Sequence, residues 1–328
     1  MNGRKRLLLI QRILQDRTDE KHDLSVAEIT AILQQEYSCA IPDRATIYED
    51  IRSLQASGMD IIVERKKQNR YYFTGRFFDR AELKLLIDAV KSFKFITKRK
   101  SDELAEKIAQ FAGPGREGLV RSTEVENRTR SGNKRLFLII DILHQAIEEK
   151  RQVSFLYFKY NEKKEQVLLH RDKPYHFNPF FLAWNGEYYY IVGSYANHPE
   201  TVASFRIDRI YKQPVILEQK AARPPKWFDA KEYLNSRIHM FGGIDQQSVE
   251  VTLLCANETA PGIIDRFGLD AEMMAADESH FWTTVSVVPT SVFYGWVFGF
   301  GGKVQIVGPK EALKGYKEMV EKVSKENG

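Results

Sequence analysis

Between Asp43 and Leu54, polar and cationic side chains recur at a spacing suited to reading duplex DNA. Arg44, Tyr48 and Arg52 stand at positions i, i+4 and i+8, so an α-helix places them on one exposed face. The opposite face carries three apolar residues, Ile47, Ile51 and Leu54. An α-helix fits the major groove, where donors on its exposed face meet the base edges. We therefore predict that Arg44, Thr46, Tyr48 and Arg52 contact duplex DNA.

A second group of cations lies between two short apolar runs, residues 61–63 and 71–73. The runs predict two strands, and the polar residues between them predict a hairpin tip. The cations of this hairpin are Arg65, Lys66, Lys67 and Arg70. Because such cations neutralise phosphates, we predict that the hairpin contacts the DNA backbone. The competing interpretation is a three-helix bundle with a solvated charged turn.

Further cations and tyrosines occur in a strand-rich region and are suited to binding an anion. Alternation along a strand places Arg206 opposite the apolar face that Phe205 and Ile207 form. The strand must end near Asp208, because its continuation would bury Arg209 without a partner. The predicted ligand-binding residues are Tyr157, Arg171, Lys173, His176, Tyr189, Arg206 and Arg209. Guanidinium groups bind phosphates and tyrosine rings stack on bases, whereas the competing interpretation is an Arg–Asp pair that stabilises the sheet.

Three helices must position the first two groups of residues. The first is predicted from Lys5 to Gln15, where leucines and isoleucines recur at helical spacing. The second begins at Ser25, which has the spacing of a capping box with Glu28. The third begins after Asp43, a suitable N-cap, and ends near Gly58, a suitable C-cap. Followed by the hairpin, these helices predict a winged helix-turn-helix.

The whole chain is predicted to be a multi-domain α+β protein. Its predicted parts are a winged helix-turn-helix (1–76), a helical linker or dimerisation part (77–134), a ligand-sensing domain (135–219), a connector (220–247) and a C-terminal domain (248–328). In the helical part, residues 113–133 are predicted to be a linker. Closely spaced strands in the sensing domain predict a small barrel or sandwich. The C-terminal domain has an element order close to that of a ferredoxin-like fold.

Composition excludes several other classes of protein. The chain has 328 residues and a net charge of only +5, so any DNA contact must come from local basic patches. Its two cysteines, Cys39 and Cys255, form neither a disulfide framework nor a Cys-rich zinc site. No run of residues is predicted to be a signal peptide or a membrane span. We therefore predict a cytoplasmic protein. Because no serine or cysteine stands in a nucleophile context and the histidines lack metal-ligand spacing, we also predict that it is not an enzyme and has no metal or cofactor.

The third predicted helix resembles the recognition helix of DeoR-like winged-helix regulators. That family has a Thr-x-x-x-Asp-Ile-x-x-Leu core followed by a glycine and a wing, matched here by Thr46, Asp50, Ile51, Leu54 and Gly58. The sequence departs from the family at Glu49, where an arginine is common. The resemblance implies DNA binding by this helix, with one phosphate contact weakened at Glu49.

The strand-rich part resembles the WYL domain. Residues 189–191, Tyr-Tyr-Ile, stand in place of the Trp-Tyr-Leu run, residues 205–210 match the second signature of that domain, and Pro179 matches an upstream proline. The resemblance implies an Sm-like or SH3-like barrel that senses a ligand, often a nucleic acid or a nucleotide. Residues 298–302 and 304–309 resemble the C-terminal extension domain of the same family.

These observations predict a bacterial-type, ligand-responsive transcriptional regulator. Its predicted partners are double-stranded DNA, an anionic ligand such as a nucleotide or single-stranded nucleic acid, and a second copy of the chain. A homodimer is expected because one recognition helix reads too few base pairs to single out a genomic site. The alternative is an accessory nucleic-acid-binding protein whose barrel binds single strands to assist another machine.

Overall fold

The computed structural model describes residues 3–38, 43–121, 132–185, 187–235 and 248–327, and the chain divides into two compact units, Met1–Gly132 and Asn133–Gly328. Both units combine helices with antiparallel strands, so the chain is a mixed α+β, multi-domain protein as predicted. Much of the predicted linker and part of the predicted connector lie outside the described residues. Within the described ranges, no helix has the length and apolarity that a membrane span requires.

The first part of unit one contains three helices and a three-stranded sheet. Its elements are α1 (Gly3–Arg17), β1 (Leu24–Ser25), α2 (Val26–Tyr37), α3 (Arg44–Ala56), β2 (Ile61–Arg65) and β3 (Asn69–Phe73). The sheet is antiparallel in the order β1-β3-β2. Both predicted N-caps are confirmed: Ser25 and Glu28 form a reciprocal capping box, and the backbone N–H of Thr46 donates to Asp43 at 2.8 Å.

One apolar core joins these helices to the sheet. Ile10, Ile29, Ile47 and Tyr71 contribute to it from α1, α2, α3 and β3 respectively. Thr18, at the end of α1, is fully buried; its hydroxyl donates to the Leu14 carbonyl at 2.6 Å and accepts from the Phe73 N–H at 2.9 Å. Helix α1 is thereby hydrogen-bonded to the base of the hairpin.

Three further helices, α4 (Arg80–Ser92), α5 (Lys98–Ala109) and α6 (Arg116–Val120), complete unit one. Helix α6 lies within residues 113–133, which were predicted to be a linker. Gly115, at φ 71°, starts this short helix, and Leu119 is buried against the core that Leu83 and Ile87 form with α5. The apolar contact of Leu119 therefore outweighs the turn-forming preference of the preceding glycines and proline.

Unit two begins with α7 and a curled antiparallel sheet. Its elements are α7 (Leu136–Glu148), β4 (Arg151–Tyr160), β5 (Gln166–Leu168), β6 (Tyr175–Asn185), β7 (Tyr188–Tyr195), β8 (His198–Arg206), β9 (Ile210–Lys220) and α8 (Ala230–Asn235). Strands β4 to β8 follow the order β5-β4-β6-β7-β8, and β9 pairs with β4. Because β4 pairs with three other strands, the sheet curls around its apolar face.

A fully buried asparagine holds this sheet together. The Asn178 amide donates to the Ser194 hydroxyl at 3.1 Å, and its oxygen accepts from the Gln152 amide and the Ala222 N–H, both at 3.0 Å. These bonds connect β6 to β7, to β4 and to the chain beyond β9. All the polar capacity buried at Asn178 is thus used within the sheet.

The C-terminal part of unit two is a second antiparallel sheet covered by helices. Its elements are β10 (Val249–Ala256), α9 (Ala260–Phe267), β11 (Met273–Ala275), β12 (His280–Val287), α10 (Ser291–Phe298), β13 (Val304–Gly308) and α11 (Lys310–Asn327). The strand order is β11-β12-β10-β13. Helix α10 buries Phe293, Tyr294 and Val297 against this sheet, because its apolar residues greatly outnumber its polar ones.

Candidate nucleic-acid interface and ligand site

Helix α3 and the hairpin of β2 and β3 form one exposed surface, here called the helix–hairpin surface. Tyr48 of α3 packs edge-on against Tyr71 of β3, with ring centroids 6.4 Å apart. This contact joins the helix to the hairpin and leaves between them a cleft of about 620 Å³, which Arg52, Arg65 and Asn69 help to line. The cleft is therefore bordered by hydrogen-bond donors from both elements.

The residues predicted on α3 divide into two pairs. Arg44 and Arg52 are exposed and, among the residues that the structure describes, form no ion pair. Thr46 and Tyr48 are half-buried. The Asp43 carboxylate accepts hydrogen bonds from the backbone N–H and the hydroxyl of Thr46, both at 2.8 Å, and these bonds lower the pKa of the Asp43 carboxyl. Thr46 therefore caps the helix and Tyr48 supports the hairpin, whereas the two arginines are available to a partner.

The four predicted hairpin cations also differ from one another. Arg65 and Lys67 are exposed and form no ion pair within the described part of the chain. The Lys66 ammonium lies 2.9 Å from a carboxylate oxygen of Asp23 and 2.5 Å from one of Glu64. These two carboxylates raise the pKa of Lys66 and compete with any phosphate for its charge.

Arg70 serves the fold of unit one. Its guanidinium donates to the Asp23 carboxylate at 2.8 Å, to the Asp23 carbonyl at 2.7 Å and to Glu28 at 2.7 Å. Hydrogen bonds from Lys66 and Arg70 lower the pKa of Asp23, and the Ser25 hydroxyl and Arg70 do the same for Glu28. Arg70 thereby attaches β3 to the start of α2.

Glu49, which the family resemblance marked only as a weakened phosphate contact, lies on the helix–hairpin surface. Glu49 is exposed and lines the same cleft as Arg52 and Arg65. The phase of the buried residues in α3 is the signal that would have found it, because Glu49 lies almost opposite Ile47 at about 3.6 residues per turn.

In unit two, Arg206, Asp208 and Tyr188 form a closed cluster, here called the Arg206 clamp. Arg206 Nε and Nη2 donate to the two Asp208 oxygens at 3.1 and 2.8 Å, and its Cζ lies 3.2 Å from the Tyr188 ring centroid. The Arg206 and Asp208 side chains are only 13% and 7% exposed. Burial by itself would lower the pKa of Arg206, but the bonds to Asp208 raise it. Two of the Arg206 guanidinium donors that were predicted to bind a ligand are therefore bound to Asp208.

Tyr188 was absent from the predicted site. Arg206 is opposite Tyr190 in the β7–β8 ladder, and Tyr188 lies two residues from Tyr190 on the same face. That alternation is the signal that could have identified it. The strand ends after Arg206 and a 3-10 turn, Ile207–Arg209, follows, so the predicted strand end near Asp208 is confirmed.

Tyr157 is half-buried beside the Arg206 clamp and packs on the core. Its hydroxyl accepts the backbone N–H of Arg206 at 3.1 Å, and its ring packs on Phe205 with centroids 5.0 Å apart. Burial raises its pKa to about 12. Arg209 is half-buried and within electrostatic reach of Tyr157. The structure thus brings together three of the predicted ligand residues, Tyr157, Arg206 and Arg209.

The other predicted ligand residues are placed differently. Arg171, Lys173 and His176 are exposed, in and after the turn that joins β5 to β6. Tyr189 is half-buried, and burial raises its pKa. No hydrogen bond or ion pair between described residues joins Arg171, Lys173 or His176 to the Arg206 clamp.

The turn before β6 has an unusual backbone. His170, Arg171 and Asp172 have φ values of 59°, 51° and 60°, in the left-handed region that non-glycine residues rarely occupy. The His170 ring packs on Tyr175 with centroids 5.1 Å apart, which holds the turn against the sheet. Arg171 and Lys173 are thereby presented on a turn that is fixed at its base.

Across the described ranges, no cluster of three histidine, cysteine, aspartate or glutamate side chains is placed to hold a metal ion. Cys255 is buried in the core of the C-terminal sheet, and burial raises the pKa of its thiol to about 11. Cys39 lies outside the described residues.

Comparison with known proteins identifies two domains. Residues 139–214 match the WYL domain and residues 247–324 match the WCX domain. Among curated proteins, none matches the chain. One similar solved structure is the proteasome accessory factor B/C (PafBC) of Arthrobacter aurescens, at 16% identity over 95% of this chain and 45% of that chain, with a TM-score of 0.27.

A second similar structure is described as a CRISPR Cas-related protein. It is 12% identical over 92% of this chain and 78% of that chain, with a TM-score of 0.38. The chain studied here therefore spans less than half the length of the PafBC chain and about four fifths of the Cas-related one.

Proposed function

We propose that this chain, which carries a WYL and a WCX domain, is a transcriptional regulator that binds duplex DNA through its helix–hairpin surface and responds to an anionic ligand. Members of the WYL-domain family are DNA-binding regulators. The observation that carries the proposal is that four exposed cations of this surface have no ion pair with any described residue: Arg44, Arg52, Arg65 and Lys67. Leaving them unpaired on one surface is the arrangement that phosphate binding requires.

In this proposal the first part of unit one works as a DeoR-like winged helix-turn-helix. Helix α3 enters the major groove, where Arg44 and Arg52 meet base edges, and the hairpin follows the phosphate backbone. The contact between Tyr48 and Tyr71 sets the distance between these two elements. Specificity then resides in the helix and general affinity in the hairpin.

The ligand site that we propose lies on the curled sheet, interpreted as an Sm-like small barrel. The Arg206 clamp and Tyr157 form its fixed part, Arg209 and the exposed Arg171 and Lys173 supply positive charge, and the exposed His176 offers its imidazole to hydrogen bonding. A nucleotide or a single strand provides both phosphates and bases for such a surface. Regulation then requires that the ligand bind the DNA-competent and DNA-incompetent states with different affinity.

A homodimer is part of the proposal, because one α3 reads too few base pairs for a genomic site. Phe77, Leu85 and Phe111 of unit one are strongly exposed apolar residues available for pairing. The C-terminal sheet, with its β-α-β-β-α-β order and ferredoxin-like interpretation, is the second candidate for contacts between the two copies.

Selection of duplexes from a random pool by the full chain tests this function. We expect an enriched inverted repeat, and we expect the variant Arg44→Ala/Arg52→Ala to lose it while its melting temperature is kept. The matched control is Arg12→Ala/Arg99→Ala, which removes the same charge from exposed helix positions elsewhere in unit one. Equal binding of all duplexes, with single strands bound more tightly, would instead support the accessory nucleic-acid-binding protein.

A further inference from the structure

Glu49 occupies the centre of the exposed face of α3. The helix buries Ile47, Ile51 and Leu54, and with about 3.6 residues per turn Glu49 lies almost opposite that row. Its neighbour Asp50 is turned to the side, where the Arg6 guanidinium donates to it at 2.5 Å. Two adjacent acidic residues are thus used differently: Asp50 joins α3 to α1, and Glu49 faces outward.

The residues on either side of Glu49 allow close approach of a partner. Ala45 and Ala56 lie on the same outward face and are exposed, so small side chains flank the carboxylate along the helix. Arg52, three residues after Glu49, is exposed beside it. The Glu49 carboxylate forms neither an ion pair nor a hydrogen bond with any residue that the structure describes.

A free carboxylate on this face is unfavourable near phosphates unless DNA itself supplies a donor. In the major groove the donors are the amino groups of cytosine N4 and adenine N6, whereas guanine and thymine present only acceptors at the corresponding positions. Adenine also presents the N7 acceptor beside its amino group, which repels a carboxylate. Cytosine is therefore the base that a glutamate accepts best.

We infer that Glu49 is a specificity-determining residue that accepts a hydrogen bond from the amino group of a cytosine in the major groove. The inference rests on the proposed function and adds to it the base that the centre of α3 reads. Glu49 also acts by exclusion, because a guanine or thymine at that position brings an acceptor against the carboxylate. Arg52, on the same face, is placed to bind a neighbouring guanine through O6 and N7.

The test is selection from random duplexes by the parent, Glu49→Gln and Glu49→Ala. The parent should require cytosine at one position, with a loss of roughly 5- to 150-fold when it is replaced. Glu49→Gln should change that position to adenine, because an amide pairs with both N6 and N7 of adenine. Glu49→Ala should lose the preference at that position alone and bind unrelated duplexes more tightly. Glu20→Gln is the control, since it removes the same charge from an exposed turn of unit one.

The outcomes separate the inference from the proposed function. A parent that selects no motif refutes both. If the motif stays unchanged in both Glu49 variants, the inference is overturned and the proposed function stands. The same holds if the variants change a position at which the parent prefers a base other than cytosine. Equal weakening on every duplex, together with a lowered melting temperature, would assign Glu49 to the fold and also overturn the inference.

Discussion

The helix–hairpin surface and the Arg206 clamp both combine arginines with tyrosines, yet the two regions use them differently. Arg52 and Arg65 border a cleft beside Tyr48 and Tyr71, without a carboxylate partner among the described residues. The Arg206 side chain is largely buried, donates from Nε and Nη2 to the Asp208 carboxylate, and is covered by the Tyr188 ring. Residue type therefore does not decide whether an arginine serves a ligand or the fold. A carboxylate within hydrogen-bond distance and the degree of burial decide it.

The same contrast occurs within the hairpin itself. Arg65 projects from the end of β2 without an ion pair in the described chain, whereas Arg70, five residues later, is held by Asp23 and Glu28. Lys66 is intermediate, because it is exposed but shared between Asp23 and Glu64. A basic segment in a sequence is thus a mixture of cations for a partner and cations for the fold.

The strongest test of the contrast breaks the Arg206 clamp. Asp208→Asn leaves a buried guanidinium without its counter-charge, so we expect the local free energy of unfolding to fall by about 3–5 kcal/mol. Hydrogen exchange of the amides in β7 and β8 measures this loss. Asp172→Asn, at an exposed aspartate in the turn between β5 and β6, is the control and should change exchange little. A loss below about 1 kcal/mol would show that the clamp is no more structural than a surface ion pair.

The second test replaces a cation of the helix–hairpin surface. Arg44→Ala should cost about 1–3 kcal/mol of binding at the preferred duplex and relax one base position, with the melting temperature unchanged. Titration of the selected duplex and of its single-base variants measures both effects. Arg12→Ala is the control for charge. If Arg44→Ala unfolds the protein, Arg44 stabilises the fold as Arg206 does and is not reserved for a partner.

A smaller effect should distinguish two neighbouring lysines. Lys67→Ala should weaken all duplexes alike and flatten the salt dependence of binding by about one unit for the lost phosphate contact. Lys66→Ala should flatten it less, because Asp23 and Glu64 already share that ammonium group. Binding measured from low to high salt for each variant gives the slopes. Equal slopes for the two variants would show that the ion pairs of Lys66 open on DNA.

The mildest test uses pH. The folded-state pKa of Asp23 is lowered, so its contribution to stability is complete above its unfolded pKa of about 3.9 and is lost as pH falls through the lower folded value. We expect the hairpin amides to lose protection from about pH 4 downward. Hydrogen exchange, corrected for its intrinsic pH dependence, measures this in the parent and in Asp23→Asn. The variant should begin less protected and should respond less to acid in this range; an identical pH response in both would remove Asp23 from this role.

Much of unit one was determined by local sequence. The capping box of Ser25 and Glu28, the N-cap Asp43 and the buried row of α3 depend on residues three or four positions apart, which is why they are visible in the sequence and present in the structure. The WYL and WCX domains likewise carry local signatures, and both are found in the chain. Such features need no knowledge of what folds against them.

Tertiary structure alone decided what each charged residue does. Arg70 meets Asp23 across 47 residues and Arg6 meets Asp50 across 44, so no local pattern announces either pair. Tyr188 reaches Arg206 only because β7 and β8 pair in one register. The physical reason is that the role of a charged side chain depends on its nearest counter-charge and on its solvent exposure, and both depend on how distant segments pack. The sequence of this protein determined which cations exist, and its fold decided which of them remain available to a partner.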